Sequence, residues 1–123
     1  MRKILVVDDE PDVPLLYKQR FRRELRRGEI DLHFASSGAE VLEYFQEHGR
    51  DGVVLVLSDI NMPGMTGLEL LKALREQHPD LCVFMVTAYD DEQNYQTAQA
   101  YGANDYFTKP IDFTTLKEKI ARL

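Results

Sequence analysis

Five polar residues, each at the end of an apolar run, carry the chemistry this sequence offers. Asp8 and Asp9 follow ILVV, Asp59 ends VVLVLS, Thr87 follows CVFMV, and Lys109, with Pro110 after it, closes DYFT. Carboxylates brought together repel one another, so their convergence either raises their pKa values or requires a cation. A hard divalent ion answers that need. Mg2+ takes oxygen ligands, keeps several waters and is commonly held by one or two carboxylates together with a phosphate. Asp8, Asp9 and Asp59 with Lys109 leave two negative charges, which one Mg2+ neutralises. A phosphoryl group added to Asp59 raises its charge from −1 to about −2, where Mg2+, Lys109 and the Thr87 hydroxyl can all meet it. Phosphoryl transfer needs little from a protein beyond positioning and charge stabilisation. A lone Asp at a strand end is ordinarily a helix cap or turn former, so the joint placement is what points to a site.

That placement depends on the elements that deliver it. Residues 4–7, 53–57 and 82–86 are apolar on both faces, as the central strands of a covered parallel sheet are. IDLHF, residues 30–34, alternates, and DYFT, residues 105–108, is short; both read as edge strands. Helical signals lie between them. Pro11 and Asp12 open the first helix, with Pro14 confined to its first turn. Ser37 with Glu40 and Thr66 with Glu69 fit the capping box. Val41, Leu42 and Phe45, then Leu70, Leu71 and Leu74, follow at helical spacing. Asp90, Asp91 and Glu92 put negative charge at the start of a fourth helix, and Gly102 stands at its end. Asp112 caps a fifth, with Phe113, Leu116, Ile120 and Leu123 in one stripe. The order predicts an α/β fold: a single doubly wound (βα)5 domain over residues 1–123, with a flavodoxin-like parallel five-stranded sheet in the order 2-1-3-4-5. Its switch point lies between the first and third strands, and ligands bind outside the carboxyl ends of the strands there.

The totals agree with one domain: 123 residues, 44% apolar and 29% charged. No window reaches the roughly 18 apolar residues of a membrane span, and MRKILVVDDE turns acidic too early for a secretory signal, so a cytoplasmic location is expected. Cys82 stands alone inside LCVFMV and reads as a core residue, which excludes a disulfide framework or thiolate metal site. His33, His48 and His78 fall in the edge strand or near turns, away from the acidic strand ends. The net charge of −6 argues against general nucleic-acid binding. The run KQRFRRELRR, residues 18–27, is a local exception, with six basic residues against Glu24. It reads as a solvated helix face covering apolar surface, with a dock for an acidic partner or RNA as the alternative.

ILVVDDEP, LSDINMPGMTGLELL, VTA (residues 86–88) and YFTKP (residues 106–110) resemble the signatures of the receiver domain of bacterial two-component response regulators, over essentially the whole chain. The resemblance implies that Asp59 is the phosphoacceptor, attacking the phosphohistidine of a sensor histidine kinase or histidine phosphotransfer protein. It implies Mg2+ held directly by Asp9 and Asp59, by Asp8 mainly through water, and by the backbone carbonyl of Asn61. Lys109 would pair with Asp59 and then with its phosphoryl group. Thr87 would bond a phosphoryl oxygen and move inward, and Tyr106 would swing into the vacated space. The Lys109–Pro110 bond would be cis. Such a chain is a phosphoacceptor switch that catalyses its own phosphorylation and dephosphorylation, not an enzyme turning over a separate substrate.

Output would appear on the fourth helix, fifth strand and fifth helix, through a homodimer or a downstream output domain or protein, with no membrane and no direct nucleic-acid contact by this domain. Independently, EQNYQTAQAY offers chiefly Tyr95, Ala98 and Tyr101 for burial, a thin stripe that anchors the fourth helix weakly; the alternative is a surface helix with no signalling role. Asn61 and Tyr89 occupy positions that border the path of attacking water in the family, and Tyr89 is expected to shield the phosphoryl group.

Three rivals differ in class. A haloacid dehalogenase-like phosphatase needs a second acid two residues after its nucleophile, where this chain has Asn61, and needs more length for a substrate cap. A flavin binder needs a Ser/Thr/Gly-rich phosphate loop, and DDEPDV would repel a phosphate. A receiver-like interaction module that is never phosphorylated stays as the alternative, with intact Asp9, Asp59, Thr87 and Lys109 weighing against it.

Overall fold

Alternation along each central strand decides which helical layer its side chains meet. In β1 (Arg2–Val7), Leu5 and Val7 enter one apolar cluster while Ile4 and Val6 enter the other. In β3 (Val53–Asp59), a register shift opposite Lys3 and Ile4 interrupts the alternation, so that Val53 and Val56 oppose Leu55 and Leu57, and in β4 (Cys82–Thr87), Val83 and Met85 oppose Phe84 and Val86. The computed structural model describes residues 2–89 and 91–123. With β2 (Ile30–Ala35) and β5 (Asp105–Thr108) at the edges, the strands form one parallel sheet in the order β2-β1-β3-β4-β5. This is the doubly wound α/β arrangement expected from the sequence.

One face is covered by α3 (Gly38–His48), α4 (Gly67–Gln77) and α5 (Glu92–Ala100), through Val41, Phe45, Leu70, Leu71, Leu74 and Ala98. The other is covered by α1 (Val13–Arg20) and α6 (Phe113–Ala121), through Val13, Tyr17, Leu116 and Ile120. Among the described residues six helices replace the expected five, because the first segment breaks at Phe21 into α1 and a short α2 (Arg22–Arg26). Phe21 leaves helical geometry at φ −102° and ψ 14°, and its buried ring stacks on Tyr17 and meets the edge of Phe113. Core packing of one aromatic side chain thus overrides helix continuity. The output face expected on the fourth helix, fifth strand and fifth helix is therefore α5, β5 and α6.

Other expectations need local correction. Ser37 caps α3 by accepting the Glu40 N–H, but the Glu40 carboxylate accepts from the Ser36 N–H and hydroxyl at 3.2 and 2.8 Å, so that capping box is only half formed. Thr66 and Glu69 make the complete reciprocal pair at α4. Asp112 caps α6, but Leu123 lies past its end and is exposed, so the apolar stripe stops at Ile120. Asp91 caps α5 and Glu92 begins it, whereas Asp90 lies outside the described residues. Cys82 is half-buried at the start of β4. His33 pairs with Asp31 at 2.8 Å, and His78 lies against the Phe45 ring. Among the described residues no helix is long and apolar enough to cross a membrane.

Candidate functional site

The sheet ladder extends one step beyond β1, β3 and β5 and so fixes the residues at its carboxyl edge. The Asp8 N–H donates to the Ala35 carbonyl at 3.1 Å, that of Ile60 to Val86 at 2.9 Å, and that of Lys109 to Thr87 at 2.7 Å. Asp59, the last residue of β3, is only 5% exposed. The start of α4 presses directly on it. A Cβ at Gly67 would stand 2.0 Å from the Asp59 carbonyl oxygen, so only glycine lets the helix approach this closely. Gly64, with φ +75°, turns the chain ahead of it.

Asp8, Asp9 and Asp59 converge as expected, each offering a carboxylate oxygen within 4.8 Å of the others. Lys109 enters from the far side. Its Nζ donates to Asp8 Oδ2 at 3.0 Å and lies 3.8 Å from Asp59 Oδ1 and 3.5 Å from Glu10 Oε1. The expected pairing with Asp59 is thus an ion pair, while the closer hydrogen bond goes to Asp8. Asp59 Oδ1 is buried and accepts no hydrogen bond from the described residues. Burial, reinforced by Asp8 and Asp9 and opposed by Lys109, pushes the Asp59 carboxyl up to about 6. Burial works against the Lys109 ammonium, yet its hydrogen bond to Asp8 and the charges of Asp59, Asp8 and Glu10 hold it above the usual lysine range.

Thr87 is fully buried at the end of β4. Its hydroxyl donates to Asn61 Oδ1 at 3.3 Å and accepts the Tyr89 N–H at 3.1 Å. Asn61 itself is exposed, so its side chain faces Thr87 across the mouth of the crevice. Tyr89 is 64% exposed. Tyr106, half-buried in β5, pairs in register with Met85, two residues before Thr87, and meets Tyr95 of α5 edge to face at 5.3 Å. The Lys109–Pro110 bond is cis.

Three contributors were not singled out from the sequence for what they do here. Glu10 joins the Lys109 cluster, and its place directly after the acid pair was the available signal. Tyr17, buried on α1, has its phenol pushed up by burial and by the charges of Asp8 and Asp59, which keeps a neutral group beside the acids. Gly67 admits α4 to the strand end, a close approach that a glycine following a capping Thr only hints at. The donor set suits Mg2+: three carboxylates, one with a buried unbonded oxygen, and no thiolate or imidazole among them.

Known proteins share this arrangement. A family model described as response regulator receiver domain matches residues 4–121. The response regulator protein PilR of Pseudomonas aeruginosa is 33% identical over 120 residues, covering 98% of this chain and 25% of its own length. The chain therefore spans about a quarter of that relative. The crystal structure of a response regulator receiver domain protein from Clostridium thermocellum superposes with a TM-score of 0.87 at 28% identity, covering 99% of this chain and 93% of that one. The response regulator protein TrrA of Thermotoga maritima, solved in complex with Mg2+ and BeF, superposes with a TM-score of 0.80 at 34% identity, covering 99% and 98%. A strand-end acid cluster facing a lysine and a hydroxyl, on a 2-1-3-4-5 sheet and under a family match that runs nearly end to end, places the chain in the response regulator receiver domain family.

Proposed function

We propose that the chain is a phosphorelay switch that accepts a phosphoryl group on Asp59 from the phosphohistidine of a sensor histidine kinase or histidine phosphotransfer protein. The observation that carries this reading is Asp59 Oδ1, a buried oxygen without a hydrogen bond from the described residues, 3.8 Å from an ammonium and beside two further carboxylates. Such an atom is poorly satisfied in a resting protein and well placed to form a new bond. With its pKa near 6, Asp59 is mostly ionised at neutral pH and able to act as nucleophile. Its oxygen forms a bond to phosphorus as the phosphorus–nitrogen bond breaks and the imidazole nitrogen leaves with the electron pair. Asp8, Asp9 and Asp59, with the Asn61 carbonyl, would hold Mg2+, which supplies charge neutralisation for the oxygens of the phosphoryl group. Lys109 moves its ammonium from Asp8 toward the new charge, and the Thr87 hydroxyl gives up Asn61 to donate to a phosphoryl oxygen.

The switch follows from that last exchange. Thr87 moving inward leaves room that the Tyr106 ring fills, and the rearrangement is read on the face of α5, β5 and α6 by a second copy, an output domain or another protein. The chain promotes its own phosphorylation and dephosphorylation and turns over no separate substrate. Tyr89 stands at the mouth of the crevice, and its removal should speed loss of the phosphoryl group. Incubation with Mg2+ and acetyl phosphate, followed by intact-mass measurement, tests the central claim. One phosphoryl group should be gained, and Asp59→Asn or a chelator should abolish the gain. No uptake would favour the interaction module that is never phosphorylated.

A further inference from the structure

Arg22, Arg23, Arg26 and Arg27 take no part in the phosphorylation site. A covering role was expected of the basic run 18–27, and two of its residues perform it. Lys18 lies over the Phe34 ring and Arg20 over that of Phe113, at 5.7 and 5.5 Å. Glu24, the one acid of the run, turns toward α6, where its carboxylate meets Lys117 Nζ at 3.2 Å. The four remaining arginines are exposed and line an open cavity of about 340 Å3. Among the described residues, the one carboxylate paired with any of them is that of Glu29, 3.9 Å from Arg27.

Holding these charges together works against the helix. Arg27, the C-cap of α2, keeps the helical hydrogen bond from its N–H to the Arg23 carbonyl at 3.1 Å. Arg22 and Arg26, like Arg23 and Arg27, therefore stand one turn apart, where like charges oppose helix formation. Four of the chain's 15 lysines and arginines fall within these six residues, while the chain as a whole carries −6. A positive cluster kept against its own repulsion, with a single acid at its edge, is suited to an anion from outside. All four members are arginine. The planar guanidinium fork takes two oxygens of one phosphate, which the point charge of lysine cannot do.

We propose that the arginine quartet of α2 binds a short condensed phosphate of the size of a triphosphate. Four residues of helix rise about 6 Å, so the two pairs of guanidinium groups bound a patch one turn long. A triphosphate concentrates its charge within such a length, and the paired oxygens of its terminal phosphates suit a fork at each end. A nucleic-acid strand instead spreads its charge along a track. Such a track would run past the quartet onto exposed acids, Glu29 on one side and Asp12 beyond α1 on the other. A flat anionic membrane would meet the same acids. Among the described residues, no ring or aliphatic residue lines the cavity, so a base and sugar gain no contact there. Inorganic triphosphate and the triphosphate tail of a nucleotide are therefore equivalent ligands. The site lies apart from Asp59 and holds or fails independently of its phosphorylation.

The test is isothermal titration calorimetry in the absence of Mg2+, with sodium triphosphate, ATP, pyrophosphate and a single-stranded RNA compared at one ionic strength. One triphosphate should bind per chain, ATP should match it, and pyrophosphate and RNA should bind more weakly. Triphosphate should also raise the melting temperature of the native chain. Arg22→Gln/Arg23→Gln/Arg26→Gln/Arg27→Gln should remove the binding without lowering the melting temperature, because it relieves like-charge repulsion on an exposed helix. The same four positions changed to lysine keep the charge and lose the forks, and should weaken binding at least about tenfold. The pair Arg23→Gln/Arg27→Gln gives the same reading with a smaller change to α2. Unchanged binding in either glutamine variant, equal affinity in the lysine variant, or tighter binding of RNA or pyrophosphate than of triphosphate would overturn the proposal.

Discussion

The end of β3 and the β5 edge lie at the carboxyl end of one sheet with β4 between them, but they are built very differently. Six of the seven residues of β3 are buried, and α4 behind it buries Gly67, Leu70, Leu71 and Leu74. In β5 no residue is fully buried, and α5 buries Ala98 alone. A nucleophile must be held within a fraction of an ångström of its attack line, which requires locked neighbours. An element that reports a change must instead have alternatives within thermal reach, so few buried contacts suit it. The weak region is still pinned at one end, where Arg75 of α4 donates to the Gly102 carbonyl at 2.7 Å and to Asn104 Oδ1 at 2.9 Å. That clamp holds the loop into β5 and leaves the opposite end of α5 to adjust.

Two glycine substitutions would break this contrast if it is mistaken. Gly67→Ala places a methyl group 2.0 Å from the Asp59 carbonyl oxygen, against backbone that cannot yield, and should cost about 3 kcal/mol or more. Its melting temperature should fall by roughly 10 °C. Gly102→Ala, at φ +88° with the flexible Arg75 side chain 3.2 Å away, should cost only about 1 kcal/mol. Calorimetry that ranked the two in reverse would show that the β3 end tolerates movement after all.

The rigid region should also carry a measurable electrostatic cost. The Asp59 carboxyl titrates near 6 in the fold against 3.8 unfolded, so the folded state binds its proton more tightly. Stability is therefore highest with Asp59 protonated and falls as pH rises from about 4 through 6. In the presence of a chelator, Asp59→Asn should stabilise the protein at pH 7.5 by up to about 3 kcal/mol, and the gain should shrink steadily toward pH 4. Urea unfolding across that pH range checks the sign, and a gain that grew on acidification would contradict it. Added Mg2+ should stabilise the native protein more than the variant.

The firm region was also the legible one. Continuous aliphatic runs announce central strands, and the residue that ends each run must lie at the carboxyl edge, so Asp8, Asp9, Asp59, Thr87 and Lys109 could be placed together without coordinates. What escaped the sequence depended on single packing events. Phe21 sits among basic residues in an otherwise helical pattern, and only the aromatic pocket made with Tyr17 and Phe113 explains why the helix breaks there. Glu40 was assigned to the Ser37 backbone, but the Ser36 hydroxyl competes for the same carboxylate from one residue earlier. That Lys109 bonds Asp8 more closely than Asp59 is a matter of tenths of an ångström, which spacing along a chain cannot encode. The thin stripe of α5 was legible, because too few apolar residues is a property of composition.

Hydrogen exchange sharpens the comparison along the backbone. Amides of β3 and β4, enclosed by both helical layers, should exchange near the global unfolding rate, while those of α5 should exchange at least about tenfold faster through local opening. Uniform protection across both regions would remove the physical basis for a mobile reporter.

The finest test concerns an aromatic contact that ties α5 to β5. Tyr95, 39% exposed, meets Tyr106 edge to face at 5.3 Å and an interplanar angle of 90°. An edge-to-face pair contributes about 0.5–1.5 kcal/mol beyond burial, and partial exposure places this one near the lower end. Tyr95→Ala alone should cost about 1 kcal/mol or less, far below the penalty at Gly67, because its ring is already half in water. A double-mutant cycle with Tyr106→Ala should return a coupling of about 0.5 kcal/mol in the unphosphorylated protein. If the Tyr106 ring leaves this position when Asp59 is phosphorylated, the coupling should change under acetyl phosphate and Mg2+, while a cycle between Phe45 and Leu74 in the rigid layer should not. A coupling that is absent, or identical in both states, would mean that α5 follows β5 through the backbone alone.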